Sequence, residues 1–327
     1  MRNVLLICPK FFGYEQAIKQ VFIRIGYSCD LVDDRPGNGF IVKASLRLRA
    51  HILIKYLLFL KKRDISRRLK SKVYDFVILI NPEATNLKAL LAVIDSSKTK
   101  VFAYFWDSVK NKPLICDYNK LADRTFSFDY SDCMNLGMTY LPLFYCDNFL
   151  KQNIPSENKN IDISFIGSLH SDRYAIVSKL VEKLKEKNKN MEVYTYFYSP
   201  SIFLFIWKKY ITREFVAIPW RDVNFVPLPL DITSNLLKRS KYTIDIANKD
   251  QTGLTMRTFE AAASNCRIIG NMAISAKKEM PWLDYVGLEE LKNFDHQYLS
   301  LNSESNLPKN EISAYSIENW VRAILKD

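Results

Sequence analysis

The run Ile161-Asp162-Ile163-Ser164-Phe165-Ile166-Gly167-Ser168 decides the fold, because it opens a second β-α-β unit half-way along the chain. Its first six residues read as a buried strand and Gly167-Ser168 as the turn that ends it. A helix follows from about Tyr174 to Lys187, then a strand from Met191 to Tyr198. Just before the run, Lys151 to Asn160 (KQNIPSENKN) carries proline, serine, asparagine and charge with no apolar period, which marks a linker. The reading is two domains, residues 1–155 and 156–327.

The first half has the same rhythm. Val4 to Cys8 is a strand stopped by Pro9, Tyr14 to Ile25 a helix, and Ser28 to Val32 a strand. Tyr74 to Ile80 (YDFVILI) is a buried strand that ends in Asn81-Pro82-Glu83, and Val101 to Phe105 is another that ends in Trp106-Asp107-Ser108. Arg124 to Phe128 and Met138 to Leu143 are shorter strand candidates. In the second half Asp231 is placed as the N-cap of a helix, Tyr242 to Ile246 as a strand, Met256 to Ser264 as a helix and Arg267 to Gly270 as a strand. The closing helix, Ser316 to Leu325, is a candidate to cross back onto the first domain. Strands alternating with helices give parallel sheets, so the class is α/β.

Composition agrees with this layout. A chain of 327 residues, 48% hydrophobic, suits two cores of about 150 residues each. The six cysteines are scattered, with no C-x-x-C pair and no histidine at metal-ligand spacing, which points to a reduced, cytoplasmic setting and no metal site. The N-terminal apolar run is too short for a signal peptide and reads as the first strand.

Net charge is +12, and eleven Lys and Arg between Lys43 and Lys72 face the single acid Asp64. With no zinc spacing and no aromatic-basic RNA-binding strand, no nucleic-acid partner is expected. Leu, Ile, Tyr and Phe interleave the cations, so the stretch suits an anionic membrane surface, or else a core helix with snorkelling lysines. Ser201 to Tyr210 (SIFLFIWKKY) has the same character: a second lipid contact, or a buried helix ending in lysines.

The densest motif is Asp245-Ile246-Ala247-Asn248-Lys249-Asp250-Gln251-Thr252-Gly253-Leu254-Thr255-Met256-Arg257-Thr258-Phe259-Glu260, a strand end, a polar loop and a helix start. Unpaired helix-terminal amides and Arg257 suit a phosphate, Gly253 allows close backbone approach, and Glu260 one turn on can accept from a ribose diol. Taken singly, Thr255 is also an N-cap, Gly253 a turn, and Arg257 with Glu260 an i,i+3 surface pair. Gly167, Ser168, His170 and Arg173 form a second phosphate candidate, or a simple turn and a surface arginine.

The run Gln251 to Glu260 resembles the donor-nucleotide motif of GT-B glycosyltransferases. More closely, it is similar to that of the CgeB-like (spore-maturation-protein-like) and lipopolysaccharide-biosynthesis transferases of bacterial polysaccharide loci. Asp162 to Arg173 looks like that family's opening of the second domain, and Phe105 to Ser108, Phe126 to Asp129 and Leu141 to Phe144 resemble its first-domain segments. The first loop, Pro9 to Gly13, departs from the glycine-rich loop of many GT-B enzymes.

The resemblance implies two Rossmann-like domains facing each other across a cleft. The second would hold a nucleotide-sugar through Gly167, Ser168, His170, Arg173, Asn248, Gln251, Gly253, Leu254, Thr255, Arg257 and Glu260. The first would hold a lipid-linked or oligosaccharide acceptor. Asp107 is the preferred catalytic base, Glu83 the second candidate and Asp129 the third, with a helix N-cap as the other role for Asp107 or Ser108. The implied function is sugar transfer in bacterial surface-polysaccharide synthesis (O-antigen, capsule or exopolysaccharide) at the inner face of the plasma membrane. A non-catalytic nucleotide-sugar-binding scaffold and a sugar-nucleotide epimerase are the alternatives. No D-x-D pair stands where a metal would bridge the diphosphate, so neither metal nor other cofactor is expected.

Overall fold

The structure is a computed structural model that describes residues 1–35, 60, 63–83, 85–150, 159–248, 251–288 and 309–326. The chain divides into two compact units. The first comprises Met1–Leu143, Asp250–Gly253 and Ile317–Asp327, and the second Phe144–Lys249 and Leu254–Ser316.

In the first unit, strands β1 (Asn3–Ile7), β2 (Ser28–Val32), β3 (Phe76–Ile80), β4 (Lys100–Phe105), β5 (Arg124–Ser127) and β6 (Thr139–Tyr140) form one parallel sheet in the order β2-β1-β3-β4-β5-β6. Helices α1 (Tyr14–Arg24), α2 (Leu87–Leu91), α3 (Ile115–Leu121) and α4 (Tyr130–Leu136) lie between the strands. Every residue of β3 is buried, as expected of a strand covered on both faces. Leu5, Val77, Leu79, Ala103 and Phe105 share one core with Ile115 and Tyr118 of α3. Phe76, Phe102 and Phe126 make an aromatic row across three neighbouring strands, with centroids 5.6 and 6.5 Å apart.

In the second unit, β7 (Ile161–Ser168), α5 (Ser171–Lys187), β8 (Val193–Tyr198), α6 (Ile202–Ile206), β9 (Val223–Asn224), α7 (Leu230–Arg239), β10 (Ser240–Asp245), α8 (Met256–Ala263), β11 (Arg267–Gly270), α9 (Ala273–Glu279), β12 (Tyr285–Gly287) and α10 (Lys309–Ser313) follow in order. Their sheet is parallel, in the order β12-β11-β10-β7-β8-β9. The last helix, α11 (Ile317–Leu325), belongs to the first unit. There Trp320 packs edge-on against Tyr104 with centroids 4.7 Å apart, and Glu318 pairs with Arg24 of α1 at 3.0 Å.

Three sequence expectations need correction. Gly167 and Ser168 are the last residues of β7, paired with Phe197 and Tyr198 of β8, and the turn comes after them. The strand expected over Met138 to Leu143 is only Thr139–Tyr140, because Pro142 has no N–H with which to continue a ladder. Asp231 is not an N-cap: α7 starts one residue earlier, after Pro229. The linker expected over 151–160 and the basic stretch from Lys43 to Lys72 lie largely outside the described residues. Of that stretch, residues 63–71 are helical, Ile65 is buried, and Lys72 donates to Asp30 at 2.8 Å.

Both sheets reverse direction at their first strand. In the first the switch lies between β1 and β3, in the second between β7 and β10. A doubly wound sheet opens a crevice at the carboxyl ends of those two strands, because the following loops part to opposite sides.

Candidate functional site

In the second unit the sequence-predicted residues converge on the carboxyl edge of β7 and β10. Arg173, in the first turn of α5, donates to Ser168 O of β7 at 3.1 Å and to Ile246 O, just past β10, at 2.7 Å. Burial lowers its pKa against the opposing pull of Asp245, yet a guanidinium stays charged at neutral pH. Arg257, in the first turn of α8, donates to Ile166 O at 3.2 Å and pairs with Glu260 at 2.6 Å. Its Nε is buried without a partner. Two guanidinium groups thus tie the ends of the switch-point strands together, with the Glu260 and Asp245 carboxylates beside them.

Glu260 is 1% exposed, so the pair is a buried one and not the surface pair that the i,i+3 spacing also allowed. Thr255 takes the N-cap position of α8 but makes no capping bond with its side chain. Its hydroxyl donates to the Asp245 carboxylate at 2.7 Å instead, as does that of Thr258. The first amides of α8 therefore have no side-chain cap from Thr255, which suits an anion at the helix terminus.

Asp245 opened the motif in the sequence without a role, and Asn271 was not singled out; both organise the site. Asn271 holds the chain after β10 by exchanging two hydrogen bonds with the Ala247 backbone, 2.9 and 3.1 Å long. Its signal was a polar residue directly after a strand ending in glycine. Gly270 is required there, since a Cβ would overlap the Asp245 carbonyl oxygen and the Tyr285 hydroxyl. His170 precedes α5 and is exposed; desolvation and the neighbouring Arg173 lower its pKa below the ordinary value. Asn248 is exposed and Leu254 is buried.

Gln251 and Gly253 belong to the first unit. There the Asp129 carboxylate caps α4 through Ser131 N, at 3.0 Å. It also accepts from Thr252 N at 2.7 Å, Thr252 Oγ1 at 2.5 Å and Gly253 N at 3.3 Å. Gly253 is a glycine because a Cβ would overlap the Phe128 carbonyl oxygen. Gln251 Nε2 donates to Gly253 O at 2.8 Å. Asp129, 2% exposed, is a structural anchor for this segment.

At the carboxyl edge of the first sheet, Asn81 follows β3 in a left-handed conformation, φ 44°, and is buried. Asparagine tolerates that region better than most residues. Its Nδ2 donates to Asp107 Oδ2 at 2.9 Å, its carbonyl accepts from Lys112 Nζ at 3.0 Å, and its Oδ1 is buried without a partner. Burial lowers the Lys112 pKa, with Glu83 and Asp107 opposing. Glu83 is gripped by both arms of the Arg35 guanidinium at 2.8 and 2.7 Å. Burial pushes the Glu83 carboxyl up, but the Arg35 fork outweighs it and holds the pKa below the ordinary value.

Asp107 is held by a neutral amide and Glu83 by a cation. Beside Asp107 in sequence, Trp106 packs on Phe11 of the bulky first loop, with centroids 5.8 Å apart. Arg35 and Lys112 escaped the sequence reading, because neither stands in a motif. Among the described residues no cluster of His, Cys, Asp and Glu could hold a metal ion.

No protein-family model matches the chain, and no curated protein matches it in sequence. Solved structures do match in fold. Alr3699/HepE of Anabaena, in complex with UDP-glucose, is similar over 100% of this chain and 99% of its own, at 12% identity and a TM-score of 0.63. The UDP-GlcNAc 2-epimerase of Methanocaldococcus jannaschii, in complex with UDP-GlcNAc and UDP, is similar over all of both chains at 13% identity and a TM-score of 0.58. The α,α-trehalose 6-phosphate synthase of Burkholderia multivorans is similar over 99% of this chain and 96% of its own, at 8% identity and a TM-score of 0.64. The fold is the two-unit α/β architecture of the GT-B class. None of these likenesses singles out the CgeB-like transferases.

Proposed function

We propose that the chain is a nucleotide-sugar-dependent glycosyltransferase of bacterial surface-polysaccharide synthesis, related to the CgeB-like transferases. In this reading the second unit binds the donor and the first unit binds a lipid-linked or oligosaccharide acceptor. The observation that carries it is the convergence of Arg173, Arg257, Glu260 and the start of α8 on the switch-point end of β7 and β10. That is where a doubly wound sheet takes a nucleotide, and the uncapped amides of α8 with the two guanidinium groups suit a diphosphate. The bound UDP-glucose of Alr3699/HepE, a protein of the same fold, supports a nucleotide-sugar as the ligand class.

Chemically, the bond from the anomeric carbon to the phosphate oxygen breaks and the acceptor oxygen bonds to that carbon. Arg257 and the α8 amides stabilise the charge that builds on the departing diphosphate, in place of a metal. In an inverting course the acceptor proton passes to Asp107, which Asn81 orients. A retaining course needs no such base. The likeness to a UDP-GlcNAc 2-epimerase favours one second reading, donor cleavage without an acceptor.

A nucleotide-release assay across UDP-, GDP- and dTDP-sugars, with and without oligosaccharide acceptors, tests the proposal. Release that depends on an acceptor and leaves a glycosylated product supports transfer. An epimerised sugar formed without acceptor supports the second reading, and tight nucleotide binding with no turnover supports a scaffold.

A further inference from the structure

The segment Ile202 to Trp220 of the second unit is folded with its apolar side outward. Helix α6 runs into a π-helical turn, Trp207–Ile211, and a return segment leads to the 3₁₀ turn Trp220–Asp222. Phe205 alone of α6 and the π turn is fully buried, with Phe215, Trp220 and Phe225 around it at centroid distances of 5.9, 4.8 and 5.9 Å. Ile202, Phe203, Ile206, Trp207, Tyr210 and Ile211 are instead 38–69% exposed.

They form two rows, 202-206-210 and 203-207-211. An α-helical i,i+4 row drifts about 40° round the axis at each step. The π turn, closed by i→i+5 bonds, unwinds that drift and keeps the rows on one side.

The lysines are turned the other way. Lys209 Nζ donates to Val216 O at 2.9 Å, Ile218 O at 2.6 Å and Phe215 O at 3.4 Å, so all its donors serve the hairpin's own return segment. Lys208 pairs with Glu214 at 2.9 Å and lies 4.7 Å from the Phe215 ring centre. A surface helix in water normally does the reverse, burying the apolar face and extending its lysines.

We propose that this hairpin is a docking surface for an anionic lipid bilayer, seated at the boundary of headgroups and acyl chains. Trp207, Tyr210 and Trp220 are the residue types that favour that boundary, an apolar ring with one polar tip, and Trp220 Nε1 already donates to Tyr210 Oη at 3.3 Å. The charge fits as well. Arg213 is exposed, and Arg221, with 87% of its side chain exposed, lies 3.8 Å from Asp222, which also accepts from Tyr174 Oη at 2.6 Å; Glu214 is held by Lys208, so Lys208, Lys209, Arg213 and Arg221 outnumber the two acids. A second copy is the poorer occupant, since each copy has a net charge of +12 and would present the same cation-rich hairpin to the other. The inference stands apart from the donor chemistry and holds whether or not the chain turns over a sugar.

Co-sedimentation of the full chain with equimolar phosphatidylcholine–phosphatidylglycerol vesicles tests it, against the double variant Trp207→Ser, Ile211→Ser. The two residues are 49% and 69% exposed, so the fold should survive, and any attachment through the basic stretch 43–72 is left in place. The partition of the variant should fall about tenfold or more, with the larger deficit at high salt, where apolar insertion carries the binding. Vesicles with brominated acyl chains should quench wild-type tryptophan fluorescence, a readout that needs no variant. Equal partition of wild type and variant, or no quenching of the bound wild type, overturns the proposal. So does a lipid-free wild-type dimer in sedimentation velocity that the double variant converts to monomer.

Discussion

Arg257 Nη1 and Glu260 Oε2 lie 2.6 Å apart at the start of α8, with Glu260 1% exposed and Arg257 16%. The donor-binding assignment and the stability of the second unit therefore share two side chains. Glu260→Ala strands a buried guanidinium and should cost about 3–5 kcal/mol of unfolding free energy. Arg257→Met with Glu260→Leu removes both charges and should recover most of that loss. The double variant should still bind nucleotide more weakly by about 1–3 kcal/mol. Urea denaturation and calorimetric titration separate the two effects; unchanged affinity in a folded double variant removes this pair from the donor site.

Asn81 and Asp107 give a second test, in the first unit. Asp107→Asn should lower kcat by about 10²–10⁴-fold if Asp107 takes the acceptor proton. Asn81→Asp preserves a residue that tolerates the left-handed backbone while replacing the donor to Asp107 with a carboxylate. Its kcat should fall with donor KM unchanged, and its pH–rate profile should shift to higher pH, because a like charge disfavours ionisation of Asp107. A loss confined to KM would assign both residues to binding.

All strands but β9 and β12 were legible in the sequence; those two, of two and three residues, are too short to carry a pattern. Runs such as Phe76–Ile80 are apolar throughout, and polar residues appear where each strand ends. Short helices such as α2 and α3, five and seven residues long, were not seen, since one turn or two carries no period. Arg173 and Arg257 were named from the spacing of the motifs Asp162 to Arg173 and Gln251 to Glu260. That spacing did not reveal their structural partners, the carbonyl oxygens of Ile166, Ser168 and Ile246, because strand neighbours are set by topology. For the same reason Gly253 looked like part of a phosphate loop, whereas its amide serves Asp129, 124 residues away in sequence.

Acid sensitivity should reside partly in the Arg35–Glu83 fork. The folded-state pKa of Glu83 lies below its ordinary value of 4.5, so the unfolded chain binds the proton more readily. The stabilisation is then fully present above that pH and is lost as pH falls through the folded-state pKa. Arg35→Met should lower Tm at pH 7, and its deficit against wild type should shrink on acidification to roughly pH 3. A deficit that does not change with pH would contradict this linkage.

Turnover should survive an excess of EDTA. In the proposed donor site, Arg257 and the α8 amides would take the place of a divalent ion on the departing diphosphate. A strict requirement for added magnesium or manganese in a complete assay would show that these groups do not suffice.

The most direct test of the account is product analysis of a nucleotide-sugar reaction run with and without an oligosaccharide acceptor. A sugar transfer should show nucleotide release that depends on the acceptor, a glycosylated product, and loss of both in the Arg257→Met, Glu260→Leu variant. An epimerised sugar released without acceptor, or tight nucleotide binding with no turnover on any donor, would contradict it.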